Sequence, residues 1–390
     1  MTTTASTSVS TPRLRIMHIA ECAGGVDKYL RMLLRGMDRG RFEQVVVCSD
    51  NYRSEDYEGL ADRVIHLPMQ NALSAKADAR AVALVRRVVR EVKPQIVYCH
   101  SSKAGGIGRL ACVGMGVKVV YNPHGWAFNM QGSRLKRLIY LCMERVLTCL
   151  TDQIVVISHR EKLSAIAHRV AGERKVRVIF NGVDIASLRR QDAQGVSRRQ
   201  LGIAEGAYVV GMVGRIAKQK APDVFVEMAE RIVARIPEAH FLIVGDGEER
   251  SLIERMIAAK GLSQHFTITG WVGDAAPYIR LFDQAVLLSR WEGFGLVLAE
   301  YMVARKAIVA TEVDAIPDLL TDGYNALLVP ADDAQGAAEA VIYLHDHPTL
   351  CDLLIDRAER KALADFDVDR TALEHDRLFV RISRGCPKSR

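Results

Sequence analysis

Short runs rich in valine and isoleucine recur along this chain of 390 residues, separated by longer amphipathic stretches. In the first half these runs are Leu14–Ile19, Val45–Cys48, Val64–Leu67, Ile96–Cys99, Val117–Tyr121, Ile154–Ile157 and Val176–Ile179. Between them, Ala75–Glu91 and Ser133–Leu150 show helical spacing of apolar residues. Strands that alternate with helices in this way form parallel sheets covered by helices. The pattern predicts an α/β fold with a doubly wound, Rossmann-like domain in the first half.

The alternation stops after Asn181-Gly182-Val183-Asp184 in a polar stretch, Ala186–Gly206, centred on Gln191-Asp192-Ala193-Gln194-Gly195. It then resumes with six further strand candidates: Val209–Val213, Phe241–Val244, Phe266–Ile268, Gln284–Leu288, Ala307–Ala310 and Ala326–Val329. The length of the chain also favours two cores over one. We therefore predict an N-terminal domain at residues 1–185 and a second α/β domain at 186–365. Residues 366–390 are expected to form a helix and tail that pack back on the first domain.

Charge and composition limit the classes of function. The net charge of +7 is spread along the chain, which argues against nucleic acid and favours an anionic small ligand or an anionic membrane surface. No Cys-x-x-Cys occurs, so reduced thiols and no zinc site are expected in a cytoplasmic protein. The eight cysteines are Cys22, Cys48, Cys99, Cys112, Cys142, Cys149, Cys351 and Cys386.

Neither a secretory signal nor a membrane-spanning segment is predicted. Met1–Thr11 lacks an apolar core, and no run approaches the roughly 18 consecutive apolar residues of a spanning helix. Any membrane contact is therefore expected to be peripheral. The basic end, Arg381–Arg390, is interpreted as a solvated terminus.

Two cations follow the first strand of the second domain. Val209–Val213 leads into Gly214-Arg215-Ile216-Ala217-Lys218-Gln219-Lys220, at the edge of a parallel sheet where ligands bind. Arginine and lysine suit phosphate oxygens, so Arg215 and Lys220 are candidates to hold a diphosphate. A solvated basic loop explains the same residues equally well.

A second motif contains two carboxylates. Glu292-Gly293-Phe294-Gly295-Leu296-Val297-Leu298-Ala299-Glu300 places one in a glycine-containing loop and the other in the helix predicted to start near Gly295. The glycines allow close approach of a ligand, and the helix start attracts an anion. Carboxylates bind hydroxyls, such as those of ribose and of a sugar ring. Together with Arg215 and Lys220, the motif favours a binding site for a nucleotide sugar. The alternative is that the two glutamates are ordinary surface residues.

This motif resembles the Glu-x7-Glu element of the family 4 retaining glycosyltransferases of GT-B fold, in which two Rossmann-like domains face a central cleft. The resemblance extends to Gly24-Gly25-Val26 after the first strand, to His124-Gly125, to Asn181-Gly182-Val183-Asp184 and to Gly245-Asp246-Gly247. Two positions depart from the family pattern, Ala221-Pro222 and Val313-Asp314-Ala315, where glycines are frequent. The donor nucleotide, UDP or GDP, is left open.

The resemblance implies a role for each matching residue. Arg215 and Lys220 would bind the donor diphosphate, Glu300 the ribose and Glu292 the transferred sugar, and His124 would lie near the reacting centre. The implied donor-binding set is Gly214, Arg215, Lys220, Gly245, Gly293, Phe294, Gly295, Leu296 and Glu300. The implied acceptor-side set is Gly24, Gly25, Val26 and His124. Taken alone, Gly24-Gly25 is also consistent with a tight turn between strand and helix, and His124 is also consistent with a histidine packed in a loop. No role is assigned to His18 or His100.

The helix at Ser133–Leu150 has basic residues near its start and an apolar stripe formed by Leu135, Leu138, Ile139, Cys142, Val146 and Cys149. Because apolar stripes usually pack inward, we interpret it as a core helix with one solvated face. The alternative is an interfacial helix that meets anionic lipid or a lipid-diphosphate acceptor.

The resemblance implies metal-independent transfer of a hexose from a UDP- or GDP-sugar to a hydroxyl of a glycan or lipid-linked acceptor, with retention, in polysaccharide or glycolipid assembly. The protein would be cytoplasmic or peripheral on the inner membrane surface. Two alternatives stay open: a nucleotide-sugar epimerase, and a catalytically silent relative that binds a partner or membrane.

Overall fold

The computed structural model describes residues 13–21, 24–69, 74–129, 133–190 and 195–385. Within those limits the chain forms two compact units. Unit 1 contains residues up to 157, then 161–179 and the segment from 371 onward, and unit 2 contains 158–160 and 180–370. Met1–Thr11, Cys22, Cys386, residues 191–194 of the polar stretch and 386–390 of the basic end lie outside the described residues.

Unit 1 is built on a seven-stranded sheet. The strands are β1 (Leu14–Ala20), β2 (Phe42–Cys48), β3 (Arg63–His66), β4 (Ile96–His100), β5 (Lys118–Asn122), β6 (Gln153–Val156) and β7 (Val176–Val178). They lie in the order β3-β2-β1-β4-β5-β6-β7, and every neighbouring pair is parallel. The associated helices are α1 (Gly25–Gly36), α2 (Ala75–Val92), α3 (Ser102–Ala111), α4 (Arg134–Leu147), α5 (His159–Ala167) and α14 (Val368–Ser383).

Apolar cores cover both faces of this sheet, which explains why its strands appear as continuous apolar runs in the sequence. On one face Val97 and Val119 pack with Val85 of α2 and Ile107 of α3. On the other face α14 contributes Leu378 and Phe379, and the Phe379 ring lies 6.4 Å from the ring of Phe42.

Unit 2 is built on a six-stranded sheet. Its strands are β8 (Tyr208–Val213), β9 (Ala239–Val244), β10 (Phe266–Ile268), β11 (Gln284–Leu287), β12 (Ala307–Thr311) and β13 (Leu327–Val329). The order is β10-β9-β8-β11-β12-β13, again with parallel neighbours. The helices are α6 (Ile185–Arg189), α7 (Pro222–Val233), α8 (Arg250–Ala259), α9 (Ala276–Ile279), α10 (Leu296–Val303), α11 (Ile316–Leu319), α12 (Ala334–Asp346) and α13 (Pro348–Asp365). Two parallel α/β sheets confirm the predicted fold class.

The orientation of α4 differs from the prediction. The interpretation of its stripe as a core face is wrong, because Leu135, Leu138, Ile139, Met143 and Val146 are between 43% and 69% exposed. Cys142 and Cys149 are exposed as well. The helix therefore presents its apolar stripe to solvent.

A buried carboxylate explains why α4 lies this way. Glu144 is 4% exposed, accepts a hydrogen bond from Tyr121 at 2.8 Å, and forms an ion pair with Arg109 of α3 at 2.9 Å. The fully buried Arg109 also lies over the Tyr121 ring, 3.9 Å from its centroid, and donates to the Gly105 carbonyl. Since an unpaired buried charge is costly, this contact determines which face of α4 turns inward.

The cysteines at 48, 99, 112, 142, 149 and 351 are free thiols. Among the described residues, no group of three or more His, Cys, Asp or Glu side chains is arranged to hold a metal ion. None of the helices in the described ranges is both long and apolar enough to cross a membrane.

Replacing Glu144 by alanine should lower the free energy of unfolding by about 3 kcal/mol, because it leaves the Arg109 charge buried without its partner. Urea denaturation followed by circular dichroism measures the loss. Glu173→Ala is the matched control: it breaks an ion pair with Lys162 in which the glutamate is 76% exposed. That change should cost less than about 1 kcal/mol. Equal losses in the two variants would contradict the explanation for the orientation of α4.

Candidate functional site

In unit 2 the two predicted motifs meet at one edge of the sheet. The loop Gly214–Lys220 follows β8, and Ser289–Glu292 follows the neighbouring strand β11, so both leave from carboxyl ends of adjacent parallel strands. Lys220 Nζ forms a hydrogen-bonded ion pair with Glu292 Oε2. The Glu292 carboxylate also accepts from Ser289 Oγ at 3.2 Å. The structure therefore brings Lys220 and Glu292 into contact across 72 residues of sequence.

Arg215 lies in the same loop but has a different partner. Its guanidinium pairs with Glu248 at 2.9 Å, and its side chain is 72% exposed. Arg215 therefore occupies the predicted edge of the sheet without joining the contact between Lys220 and Glu292.

Glycines allow the loops at this edge to touch. A Cβ atom on Gly245 would lie 2.0 Å from the Gly214 carbonyl oxygen, and one on Gly247 would lie 2.3 Å from the Ile216 carbonyl oxygen. Gly245 also has a φ of +145°, which L side chains rarely adopt. Ile216 donates to the Asp246 carbonyl at 2.9 Å, so the loop after β9 supports the backbone of the cationic loop.

The helix predicted near Gly295 begins at Leu296. Gly295 precedes it with a φ of +77°, and an added Cβ would lie 3.3 Å from Glu292 Cγ and 3.2 Å from Leu298 Cδ1. Phe294 is buried, with its ring 5.6 Å from that of Phe366. The short loop from Gly293 to Gly295 thus links the Glu292 carboxylate directly to the amino end of α10.

Glu300 occupies the second turn of α10 and is 7% exposed. It lines a cavity of about 240 Å³ together with Ala276 and Arg280 of the α9 segment and Arg305. The second carboxylate is therefore placed on the wall of a cavity instead of on an open helix surface.

Arg290 has a role that the sequence analysis did not identify. Its guanidinium makes two hydrogen bonds to the Asp223 carboxylate, at 2.6 and 3.0 Å, and pairs with Asp332 at 2.6 Å. It also donates to the carbonyl of Lys218 at 2.9 Å. Burial tends to raise the pKa of Asp223, but the hydrogen bonds and charge of Arg290 hold that pKa below its usual value. Arg290 therefore joins the loop that carries Lys220 to the loop that carries Glu292.

Asp314 was also missed as part of this site. Its carboxylate accepts a hydrogen bond from the backbone N–H of Glu292 at 2.9 Å, and its φ is +42°. In the sequence, Asp314 is notable only as a departure from a glycine pattern. Because the partners of Arg290 and Asp314 are distant in sequence, no local pattern could have identified either contact.

In unit 1 the predicted acceptor-side residues lie at the carboxyl edge of the sheet. Gly24, with a φ of +99°, precedes α1, and Gly25 and Val26 form its first turn. His124 follows β5, has a φ of +51°, and donates its backbone N–H to Asn122 Oδ1 at 3.0 Å. The Tyr29 ring of α1 meets the His124 ring edge-on, with centroids 4.6 Å apart. The α1 start and His124 are therefore neighbours.

His124 is held in its neutral form. Burial, together with a smaller effect of the nearby His375, lowers its pKa to about 3. A neutral imidazole has one ring nitrogen that donates and one that accepts. Because His124 Nε2 lies 3.1 Å from His100 Nδ1, the other ring nitrogen is the one that can hydrogen-bond to a hydroxyl group near pH 7.

Replacing Gly245 by alanine should destabilise unit 2 by about 3 kcal/mol, because the new Cβ overlaps the Gly214 carbonyl and its φ is unfavourable. Differential scanning calorimetry and urea titration measure the change. Gly206→Ala is the control, since nothing lies within 4 Å of an added Cβ there and its φ is not in the positive range. If both variants unfold like the wild type, the close contact between these loops is not required.

Comparisons with known proteins cover both units. A family model described as Glycosyl transferase 4-like domain matches residues 24–182, and one described as Glycosyl transferases group 1 matches 207–347. A UDP-Gal:alpha-D-GlcNAc-diphosphoundecaprenol alpha-1,3-galactosyltransferase of Escherichia coli is 25% identical over 346 residues, which is 87% of this chain and 89% of that protein. The lipopolysaccharide core biosynthesis glycosyltransferase LpsE of Rhizobium meliloti is 28% identical over 347 residues, 88% of this chain and 92% of that protein.

The fold is also similar to solved structures. The structure of Anabaena HepE in complex with UDP superposes with a TM-score of 0.80 at 20% identity, covering 94% of this chain and all of that one. A sucrose-phosphate synthase from Thermosynechococcus elongatus also has a TM-score of 0.80, at 21% identity, covering 95% of this chain and 99% of that chain. With one family model on each unit and GT-B neighbours over nearly its whole length, the chain belongs to the family 4-type glycosyltransferases of GT-B fold.

Proposed function

We propose that this glycosyltransferase moves a hexose from a UDP-sugar to a hydroxyl of a glycan or lipid-linked acceptor, with retention of the anomeric configuration. The observation that carries the proposal is the contact between Lys220 and Glu292 beside the amino end of α10, with Glu300 one turn further along that helix. A cation for phosphate, a helix start and two carboxylates for hydroxyls are the groups that a nucleotide sugar requires.

Each residue has a distinct role in this proposal. Lys220 and Arg215 bind the diphosphate, Glu300 binds the ribose hydroxyls, and Glu292 binds the transferred sugar. Backbone groups from Gly293 to Leu296 complete the donor site, while Gly214 and Gly245 allow the loops to approach each other. The exposure of Arg215 leaves its guanidinium able to exchange Glu248 for a phosphate, because a surface ion pair is worth little.

Charge development explains how the site accelerates transfer. As the bond between sugar and phosphate breaks, negative charge grows on the departing diphosphate. Lys220, Arg215 and the N–H groups at the start of α10 stabilise this charge, and each such group typically contributes a few kcal/mol. The proposed chemistry needs no metal ion, so EDTA should leave turnover unchanged.

Retention follows if the acceptor hydroxyl enters on the face from which the diphosphate leaves. In this mechanism the departing phosphate oxygen takes the acceptor proton, and Glu292 binds hydroxyls and does not act as a nucleophile. Retaining glycosidases differ because their two carboxyl groups flank the bond and one forms a covalent intermediate. His124, being neutral, orients a hydroxyl and carries no charge into the reaction.

The relatives support the choice of donor and acceptor. HepE has been solved with UDP and with UDP-glucose, and the E. coli relative is named for UDP-Gal and a diphosphoundecaprenol-linked acceptor. We therefore favour a UDP-hexose over a GDP- or ADP-sugar, and a lipid-linked or polysaccharide acceptor in cell-surface glycan assembly.

Lys220→Ala should reduce kcat/KM for the preferred donor by about 100-fold or more, because it removes the partly buried cation that binds the diphosphate in this proposal. Isothermal titration with UDP-, GDP- and ADP-hexoses identifies the donor, and turnover is followed with candidate acceptors. Lys218→Ala is the matched control: Lys218 is exposed and lies two residues away in the same loop. Its removal should change kcat/KM less than twofold.

Several outcomes would contradict the proposal. If no nucleotide sugar binds, the chain is not an active transferase, and the partner-binding alternative is favoured. Turnover of the donor to an isomeric nucleotide sugar without an acceptor would indicate an epimerase. An inverted anomeric centre in the product, measured by proton NMR, would exclude retention.

The exposed stripe of α4 supports peripheral attachment to the cytoplasmic face of a membrane. The apolar residues from Leu135 to Val146 stand beside Arg134, Lys136 and Arg137, all exposed. An apolar strip flanked by basic residues binds anionic lipid by inserting into the headgroup region. A lipid-linked acceptor would be held in that surface, so attachment brings the enzyme to its substrate.

Leu138→Glu in α4 should abolish flotation with vesicles that contain anionic phospholipid, because it places a carboxylate in the strip that meets lipid. Leu163→Glu is the control, because Leu163 is a leucine that is 65% exposed but lies on a different helix, α5. The control should float like the wild type. If the wild type and both variants float equally well with the vesicles, or if none of the three floats, α4 does not contact lipid.

A further inference from the structure

Four polar side chains form a continuous hydrogen-bonded row through the core of unit 1. Gln44 Oε1 lies 2.8 Å from His18 Nε2, His18 Nδ1 lies 3.1 Å from His100 Nε2, and His100 Nδ1 lies 3.1 Å from His124 Nε2. Gln44, His18 and His100 are fully buried. The row therefore connects a glutamine inside the sheet to the candidate site histidine.

The register of the sheet produces this row. Gln44 on β2 is aligned with Ile16 on β1, two residues before His18. His18 is aligned with Tyr98 on β4, two residues before His100, and His100 is aligned with Asn122 on β5, two residues before His124. Since side chains two residues apart share a face of a strand, the row climbs diagonally across four neighbouring strands to the carboxyl edge.

The glutamine determines the direction of every hydrogen bond in the row. An amide oxygen only accepts, so His18 must carry its proton on Nε2 and has a bare Nδ1. His100 must then donate from Nε2 to that nitrogen, and His124 must donate from Nε2 to the bare Nδ1 of His100. The Nδ1 atom of His124 is thereby left without a proton.

A methionine keeps the glutamine in this orientation. Gln44 Nε2 donates to the sulfur of Met37, 3.2 Å away. A thioether sulfur is an acceptor only, so the flipped amide would place its oxygen against the sulfur with no hydrogen bond. The oxygen therefore faces His18.

The row requires neutral rings, because a protonated imidazole donates from both nitrogens. Burial lowers the pKa of His18 to about 4 and that of His124 to about 3, and it lowers the pKa of His100 well below its usual value. All three rings are therefore neutral near pH 7.

We propose that Gln44 is a positioning residue which, through His18 and His100, holds His124 in the Nε2–H tautomer, so that His124 Nδ1 accepts a hydrogen bond from a substrate hydroxyl. The tautomer follows from the row itself, whereas its effect on turnover rests on the proposed function. Gln44 therefore acts on a ring that follows β5, three strands away in the sheet.

NMR of the ring nitrogens tests the tautomer without any substrate. Protein labelled with ¹⁵N-histidine should show His124 protonated on Nε2, with the resonance assigned by its loss in His124→Gln. Gln44→Leu should convert His124 to a mixture of tautomers, because the row can then run in either direction. Met37→Leu keeps Gln44 but frees its amide to turn over, and should cause a smaller shift in the same direction.

Gln153→Leu is the matched control, since Gln153 is a buried glutamine of β6 that donates to the Lys175 carbonyl and does not belong to the row. It should leave the His124 signals unchanged. In turnover assays Gln44→Leu should lower kcat/KM about tenfold, the effect of one hydrogen bond, without that loss in the control.

Two results would overturn the proposal. One is a wild-type His124 protonated on Nδ1, and the other is an unchanged Nε2–H signal in both Gln44→Leu and Met37→Leu. A tautomer that shifts with no change in kcat/KM would overturn the catalytic part. If no donor is turned over by any variant, the proposed function fails, while the NMR result still decides whether Gln44 sets the tautomer.

Discussion

Parallel strand pairing is the constraint on which both units depend. In a parallel sheet all strands end at the same edge, so residues that follow different strands converge even when they are far apart in sequence. The Lys220 loop and the Glu292 loop converge in this way after β8 and β11, which are hydrogen-bonded neighbours. In unit 1 the same geometry brings the start of α1 and His124 together. Each candidate site is therefore a product of sheet topology more than of any single loop.

Much of the fold was predictable because strands buried on both faces must be short and apolar, and helices between them must be amphipathic. The start of α10 was predictable for a local reason, since Gly295 adopts a positive φ that suits glycine. The sequence predicted that Lys220 and Glu292 face one ligand, but it did not predict the direct ion pair between them. That ion pair depends on the adjacency of β8 and β11 in the sheet. The placement of Arg215 against Glu248 could not be foreseen, because both residues are exposed and sequence pattern does not select between surface partners.

The other differences between the sequence-based predictions and the structure also have physical causes. Helical periodicity shows that Leu135, Leu138 and Val146 share a face but not which face turns inward. The face that turns inward is determined by the ion pair between Arg109 and Glu144. These residues lie on different helices, so the sequence pattern of α4 does not reveal the pair. Arg290 reaches Asp223 and Asp332 across 67 and 42 residues, so no motif could reveal its partners. His18 and Gln44 each appear in the sequence as a single polar residue in a strand, which does not indicate a function. Their hydrogen bond becomes evident only from the register of the sheet, which places their side chains next to each other.

The inward position of Glu144 has a consequence for how this part of the protein varies. The inner face of α4 is held by the ion pair of Glu144, by the buried Leu147 and by Tyr140 and Leu141, which pack against the core. The outer apolar residues of the helix are therefore not needed to hold it on the sheet. Substitutions along that outer strip are thus free to accumulate without loss of the sheet beneath. The same core can therefore carry different outer strips, and redesign of the strip would change the surface to which the helix adheres without unfolding the sheet.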